Sequence, residues 1–377
     1  MKILHISNYY HPHIGGIEQV ARDCVSAVRE DAGQRVFCFH SQKGDRRDMV
    51  DGVEVVRAGS FVKVASQSLS FSYGKLLRRE MKAFAPDFVV FHFPNPFGAH
   101  YLLKCLKKSR AKLIVWWHLD ITKQKLLKKL FRGQTLRLLK RADKIVATSP
   151  NYIEGSEFLP AFREKCVVIP NCAADSRVSL SDEEKQRAEE LKRRYAGKCL
   201  LFAVGRHVPY KGMEYLVRAS KLLPDEYAVC IGGEGELTPS LKQLAAGDEK
   251  VQFLGRLPDG ELKAYLLACD IFCFPSITKN EAFGIALAEA MSFAKPSVTF
   301  TIEGSGVNYV SLNGVTGIEV KNGDIGAYAA AIRKLKEDEA LREAYGKAAR
   351  EREQELFTEA AFRRNVRALL GFEEADV

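Results

Sequence analysis

The chain has 377 residues, 46% of them hydrophobic and 28% charged, which is too long for one ordinary core and predicts two globular domains. No run of 18 apolar residues occurs, and Met1-Lys-Ile-Leu-His-Ile leads straight into a strand instead of a signal peptide, so neither a spanning helix nor export is expected and the location is read as cytoplasmic. The formal charge of +10 is uneven: fourteen Lys or Arg stand against two Asp between Lys104 and Lys144, and the lack of a recognition motif or interleaved aromatics argues against a nucleic-acid binder.

In chain order, Lys2 to Ser7 reads as a strand and Gly16 to Val28 as an amphipathic helix, with Asn8-Tyr-Tyr-His-Pro-His-Ile-Gly15-Gly16 between them. Strand, Gly-rich loop and helix is the order in which backbone amides meet a phosphate, although no G-x-G-x-x-G is present. Further strands are expected at Arg35 to His40, Glu54 to Ala58, Phe88 to Phe91, Leu113 to Trp116, Lys144 to Thr148 and Cys166 to Ile169. These apolar runs, separated by helices, predict a parallel sheet covered on both faces. His118-Leu-Asp120 stands at a strand's carboxyl end, where a histidine is either structural or a ligand contact. Ile121 to Arg141 then spaces Leu126, Leu127, Leu130, Phe131, Leu136 and Leu138 at helical intervals against an almost wholly basic face. That pattern fits a helix packed on the sheet with a solvated face, and equally a helix lying on an anionic membrane surface. Ser179 to Arg194 is highly charged without a strand pattern and is read as the linker.

The second half opens on Leu200-Leu-Phe-Ala-Val-Gly-Arg206, a strand that delivers an arginine, followed by Lys211-Gly212 at the start of a helix. A second strand-loop-helix unit, Tyr227 to Glu236, contains Gly233. Arg206 and Lys211 would supply a fork of donors and a point charge to a diphosphate. Val251 to Leu254 and Asp270 to Phe274 are further strands, and Ser276 to Pro296 reads as strand end, polar loop and small apolar helix. Glu281 precedes that helix, Gly284 admits close backbone approach, and Glu289 lies further along. Two carboxylates beside a helix N-terminus suit a nucleotide sugar, with phosphate on the helix amides and hydroxyls for the acids. Solvated surface glutamates are the plain alternative, disfavoured because the helix is otherwise small and apolar. Nine cysteines at irregular spacings, with no C-x2-C pair and several in apolar runs (Cys38, Cys199, Cys230, Cys273), read as reduced thiols, and no metal site is expected.

Glu281-Ala282-Phe283-Gly284-Ile285-Ala-Leu-Ala-Glu289 resembles the E-x7-E signature of retaining glycosyltransferases of family 4. G-R-x4-K-G around Arg206 and Lys211, and the G-x-G-E-L that begins at Gly233, extend the resemblance over nearly the whole chain. It implies a GT-B fold, two Rossmann-like domains facing across a cleft, here residues 1–180 for the acceptor and 195–357 for the donor, with helix 358–377 packing back on the first. It further implies that Gly15 and Gly16 face the donor, that His118 touches its sugar, and that Phe253 to Leu257 meets the base. Arg206 and Lys211 would hold the diphosphate, Glu281 the sugar hydroxyls and Glu289 the ribose. Ser305 and Asn308 in the loop from Gly304 resemble a branch with bacterial mannosyl- and rhamnosyltransferases, which makes GDP-mannose the first expectation and a UDP-hexose the second.

The reading is a retaining hexosyltransferase of polysaccharide or glycolipid synthesis, acting on a lipid-linked or saccharide acceptor and peripheral at the inner membrane face. It needs no cofactor or metal. Its rivals are a sugar-nucleotide epimerase of the same fold and a non-catalytic basic protein that binds membranes or nucleic acid.

Overall fold

The computed structural model describes residues 1–13, 15–64, 67–121 and 125–372. The chain divides into two compact units, residues 1–169 with the described residues from Phe362 onward, and residues 170–361.

The first unit is built on strands β1 (Lys2–Ile6), β2 (Gly33–His40), β3 (Arg46–Val50) and β4 (Val53–Gly59), a small hairpin of β5 (Val62–Val64) and β6 (Gln67–Leu69), and then β7 (Phe88–Phe93), β8 (Lys112–Trp117), β9 (Lys144–Ala147) and β10 (Cys166–Val168). Its main sheet runs β10-β9-β8-β7-β1-β2-β4-β3. All of its pairings are parallel except β3 with β4. Phe37, Phe91, Val115, Trp116 and Trp117 are fully buried, as expected for strands whose two faces are both covered. The antiparallel edge strand β3, Arg-Arg-Asp-Met-Val, escapes the apolar pattern because charges hold it. Arg57 donates to Asp48 at 2.9 Å, and Arg47 pairs with Glu54 and with the buried Glu80 of helix Tyr73–Phe84. Arg35 reaches the other oxygen of Glu80 at 2.7 Å, so a carboxylate that would be costly alone inside the protein is met from two sides.

The second unit contains β11 (Cys199–Val204), β12 (Tyr227–Gly232), β13 (Val251–Gly255), β14 (Ile271–Phe274), β15 (Ser297–Phe300) and β16 (Gly317–Val320), in the order β13-β12-β11-β14-β15-β16 and parallel throughout. In sequence terms this is the doubly wound order 3-2-1-4-5-6, whose reversal point lies between β11 and β14. Phe202, Ile231, Phe272 and Val298 form the middle of its core. Strand β16 was not anticipated from the sequence.

The linker expected over Ser179 to Arg194 is corrected: Asp182–Arg194 is a helix inside the second unit. Ser181 and Glu184 close a capping box, and Glu184 and Arg187 pair with Lys263 and Glu261 on helix Asp259–Ala268. Its apolar stripe is only Ala188 and Leu191, too thin to register among the charges. The units change over at residue 170 and again after Ala361, within the terminal helix Glu359–Leu370. Beyond that point Phe362 lies against Trp116, ring centroids 5.8 Å apart, and Arg367 pairs with Asp31.

Candidate active site

In an open parallel sheet ligands collect outside the carboxyl ends of the strands where the strand order reverses. In the second unit that point is flanked by the segment from Gly205 to Gly212 after β11 and the segment from Pro275 to Gly284 after β14. The two are locked together: Ile277 N donates to Tyr210 O at 3.0 Å, and a Cβ on Gly212 would sit 2.1 Å from the carbonyl oxygen of Pro275. Gly212 has φ +60, so a side chain would also strain its backbone.

On this frame the Lys211 ammonium forms an ion pair with Glu281 Oε2, while Ser276 Oγ donates to the same oxygen at 3.1 Å. The Lys211 Nζ lies 5.3 Å from the ring centre of Phe274 and 5.6 Å from that of Tyr210. Arg206 is exposed, and its Nη2 donates to the Tyr210 hydroxyl at 3.2 Å. Both predicted cations therefore stand around Tyr210, a residue the sequence reading passed over. Ser305 Oγ donates to the backbone carbonyl of Glu281, and Gly306 N to that of Ala282 at 3.1 Å, which ties the signature loop to the loop after β15. Gly284 caps helix Ile285–Ser292 with φ +94, and Ile285 begins the helix. Phe283 is buried and meets Phe357 edge to face, so its side chain belongs to the core.

Glu289 has a partner of its own. It is the fifth residue of the helix, buried, with Oε1 accepting from Arg177 Nε at 3.0 Å, and Arg177 reaches on to Asp259. Burial pushes the Glu289 carboxyl above its ordinary range, and the Arg177 guanidinium pulls it back down. Arg177 carries no motif signal of its own. The separation of 112 residues hides the pair from any local pattern.

Gly233 serves the same reversal point, since a Cβ there would lie 2.0 Å from the Gly205 carbonyl oxygen. The half-buried Leu257 side chain packs over Gly232. In the first unit Gly15 caps helix Gly16–Ala27 in ordinary extended backbone, φ -172, and a Cβ on Gly16 would meet nothing within 4 Å. Among the described residues no contact demands a glycine at 16. His118 follows β8 and is 5% exposed. Its Nε2 lies 3.0 Å from Nδ1 of the buried His92, and burial holds its ring uncharged, down to about 3. Asp120 is structural: its carboxylate accepts from Trp117 Nε1, Ser156 Oγ and Glu157 N.

Residues 182–352 match the family described as Glycosyl transferases group 1, and residues 14–177 match Glycosyltransferase Family 4. The D-rhamnosyltransferase WbpZ of Pseudomonas aeruginosa is 35% identical over 364 residues, covering 95% of this chain and 92% of the relative. The chain belongs to the family 4 glycosyltransferases. The O-antigen chain mannosyltransferase C of Escherichia coli is 31% identical over 95% of both chains. Among solved structures, sucrose-phosphate synthase from Thermosynechococcus elongatus matches with TM-score 0.81 at 18% identity and 98% coverage of both chains. Anabaena Alr3699/HepE in complex with UDP-glucose matches with TM-score 0.78 at 19% identity, covering 98% of this chain and 99% of the other. The fold is thus GT-B.

For this family 4 glycosyltransferase the sequence located the loops that carry Arg206, Lys211 and Glu281, whereas Arg177, Tyr210 and Ser276 emerge only from the packing. Among the described residues no cluster of His, Cys, Asp or Glu is arranged to hold a metal ion, and no helix is long and apolar enough to cross a membrane. The expected basic helix is observed as Lys125–Arg141. The side chains of Lys125, Leu126, Leu127, Lys128, Lys129 and Leu130 lie outside the described residues.

Proposed function

We propose that this chain transfers a hexose, mannose before others, from a nucleoside-diphosphate sugar to a lipid-linked or saccharide acceptor with retention of anomeric configuration. The observation that carries the reading is the Lys211–Glu281 pair at the carboxyl ends of β11 and β14, a cation and an acid held at the reversal point. In the transition state positive charge grows on the sugar ring and negative charge on the leaving diphosphate, and fixed donors aimed at the latter give the largest gain. Arg206, Lys211 and the first amides of helix Ile285–Ser292 supply them. Glu281, already held by Ser276, exchanges its protein partners for sugar hydroxyls, Glu289 holds the ribose diol, and the leaving phosphate takes the proton from the acceptor. In the first unit His118 meets a sugar hydroxyl.

The relatives support mannose and surface polysaccharide as the first choices, since their names specify rhamnosyl and mannosyl transfer and O-antigen chains, and a Corynebacterium glutamicum relative at 25% identity is named as GDP-mannose-dependent. A place at the inner face of the membrane is favoured by a hollow of about 410 Å³ beside helix Pro96–Leu106, where Leu103 and Leu106 are ringed by Lys104, Lys107, Arg137 and Arg141. Apolar surface within a cationic rim suits an anionic leaflet. Incubation with GDP-mannose, UDP-glucose and a lipid-extract acceptor tests the reading. Release of GDP with incorporation of an α-linked sugar is expected, and release from neither donor refutes it.

A further inference from the structure

Tyr210 touches both cations of the second unit's site, and its backbone has little freedom. It is the middle residue of the short 3-10 turn Pro209–Lys211, which Pro209 enters with a fixed φ. Lys211 N donates to Val208 O at 3.0 Å and Gly212 N to Pro209 O at 3.2 Å, while Tyr210 O accepts from Ile277 N, on the loop after β14, at 3.0 Å. The part that can respond to a ligand is the half-buried side chain.

Each half of that side chain meets a different cation. The hydroxyl accepts from Arg206 Nη2 at 3.2 Å, and the ring centre is 5.6 Å from Lys211 Nζ, within cation–π range. The ring shares this ammonium with the buried ring of Phe274, 5.3 Å away, and with the Glu281 carboxylate. Two rings and an acid thereby define where a flexible four-carbon chain ends. Arg206 differs in being exposed. Its backbone is pinned, with His207 N donating to Glu234 O at 3.1 Å and Val208 N to Arg206 O at 2.9 Å. Its long side chain carries a large rotamer entropy, which opposes capture by a ligand. The Tyr210 hydroxyl restricts that freedom beforehand, and a guanidinium that gives one N–H to a phenol keeps further donors in the same plane for a phosphate.

We propose that Tyr210 is a positioning residue for both cations: its hydroxyl holds the Arg206 guanidinium and its ring holds the Lys211 ammonium, so that the two converge on one diphosphate. The diphosphate of a sugar donor rests on the transfer reading above, whereas the pairing of each half of Tyr210 with its own cation does not. Phenylalanine in its place would keep the lysine and lose the arginine, and leucine would lose both. A tyrosine that only supported the turn would instead give the same loss whichever cation is present.

Calorimetric titration of the full chain with inorganic pyrophosphate, GDP and UDP separates these cases. In Tyr210→Phe, affinity for pyrophosphate and for the tighter nucleotide should fall about fivefold, the scale of one hydrogen bond. In an Arg206→Ala background the same substitution should change affinity by less than about twofold, because the two residues act as a unit. Tyr210→Leu should cost about fivefold more than Tyr210→Phe through the lost ring, and that increment should persist in Arg206→Ala and vanish in Lys211→Ala. Equal losses from Tyr210→Phe with and without Arg206, in proteins of unchanged thermal midpoint, overturn the proposal, and so does a ring increment that survives Lys211→Ala. If pyrophosphate bound with the expected couplings and no sugar were transferred, the transfer reading would fall and the role of Tyr210 would stand. Binding of none of the three probes to the wild type would overturn both.

Discussion

Lys211 and Glu281 stand on loops that follow two different strands and neutralise one another, each side chain nearly nine-tenths buried. The pair joins the loops that follow β11 and β14 at the reversal point of the sheet. In the proposed reaction an incoming diphosphate would compete with Glu281 for the Lys211 cation, and an incoming sugar would give Glu281 new partners in return.

Lys211→Ala should therefore lower turnover by about 10² or more, the scale for losing one preorganised donor of charge stabilisation. Arg206→Ala should do the same, because the exposed guanidinium, bonded to the Tyr210 hydroxyl at 3.2 Å, can turn to phosphate. Steady-state rates on the preferred donor decide the matter. Rates near wild type in both variants would remove the diphosphate role.

Arg177 predicts a pH signature for nucleotide binding. Burial raises the Glu289 carboxyl above its ordinary value of 4.5, and Arg177 opposes the rise. In Arg177→Gln the opposition is gone, so the carboxyl protonates at higher pH than in the wild type and the ribose loses its acceptor as pH falls. As pH is lowered, calorimetric affinity for the nucleoside diphosphate should then begin to weaken at a higher pH in the variant than in the wild type. Parallel profiles would show that Glu289 does not bind the ribose as an anion.

Three buried histidines predict acid lability. Unfolded, each binds a proton below its ordinary 6.5, whereas in the native protein His5 does so only near 4 and His118 near 3, with His92 also lowered, all through burial. The unfolded chain binds more protons below pH 6.5, so this share of stability is complete above 6.5 and is lost as pH falls. At pH 5.5 the loss is on the order of 1 kcal/mol for each of His5 and His118, with His92 adding in the same direction. Denaturant midpoints at pH 7.5 and 5.5 measure it. His92→Asn should reduce the difference.

Gly212→Ala tests the frame directly. A methyl group would strike the Pro275 carbonyl oxygen from a left-handed backbone, so a loss of about 2 kcal/mol or more is expected, together with weaker donor binding as the two loops part. Unchanged thermal stability would mean that the loops do not depend on this approach.

Reversing Lys104, Lys107 and Arg137 to Glu should abolish sedimentation with anionic liposomes at low salt. Each cation is worth up to about 1 kcal/mol at such a surface, so three removals cost roughly a hundredfold in affinity. Equal binding to neutral and anionic vesicles would end the membrane reading.

Local chemistry made part of this protein legible from its residues. Apolar runs such as Phe88 to Phe91 and Cys199 to Val204 can only be buried strands in a chain of this composition, and Arg206, Lys211 and Glu281 follow such runs closely enough that their place at strand ends was readable. Strand β3 and helix Asp182–Arg194 were not, since cross-strand ion pairs and a two-residue apolar stripe stabilise them, and neither leaves a periodic signal. Sheet register decided that His5, His92 and His118 share one face, and helix packing decided that Glu289 answers to Arg177. Register and packing are set by contacts between residues far apart in the chain, so these pairings exist only once the sheet is assembled.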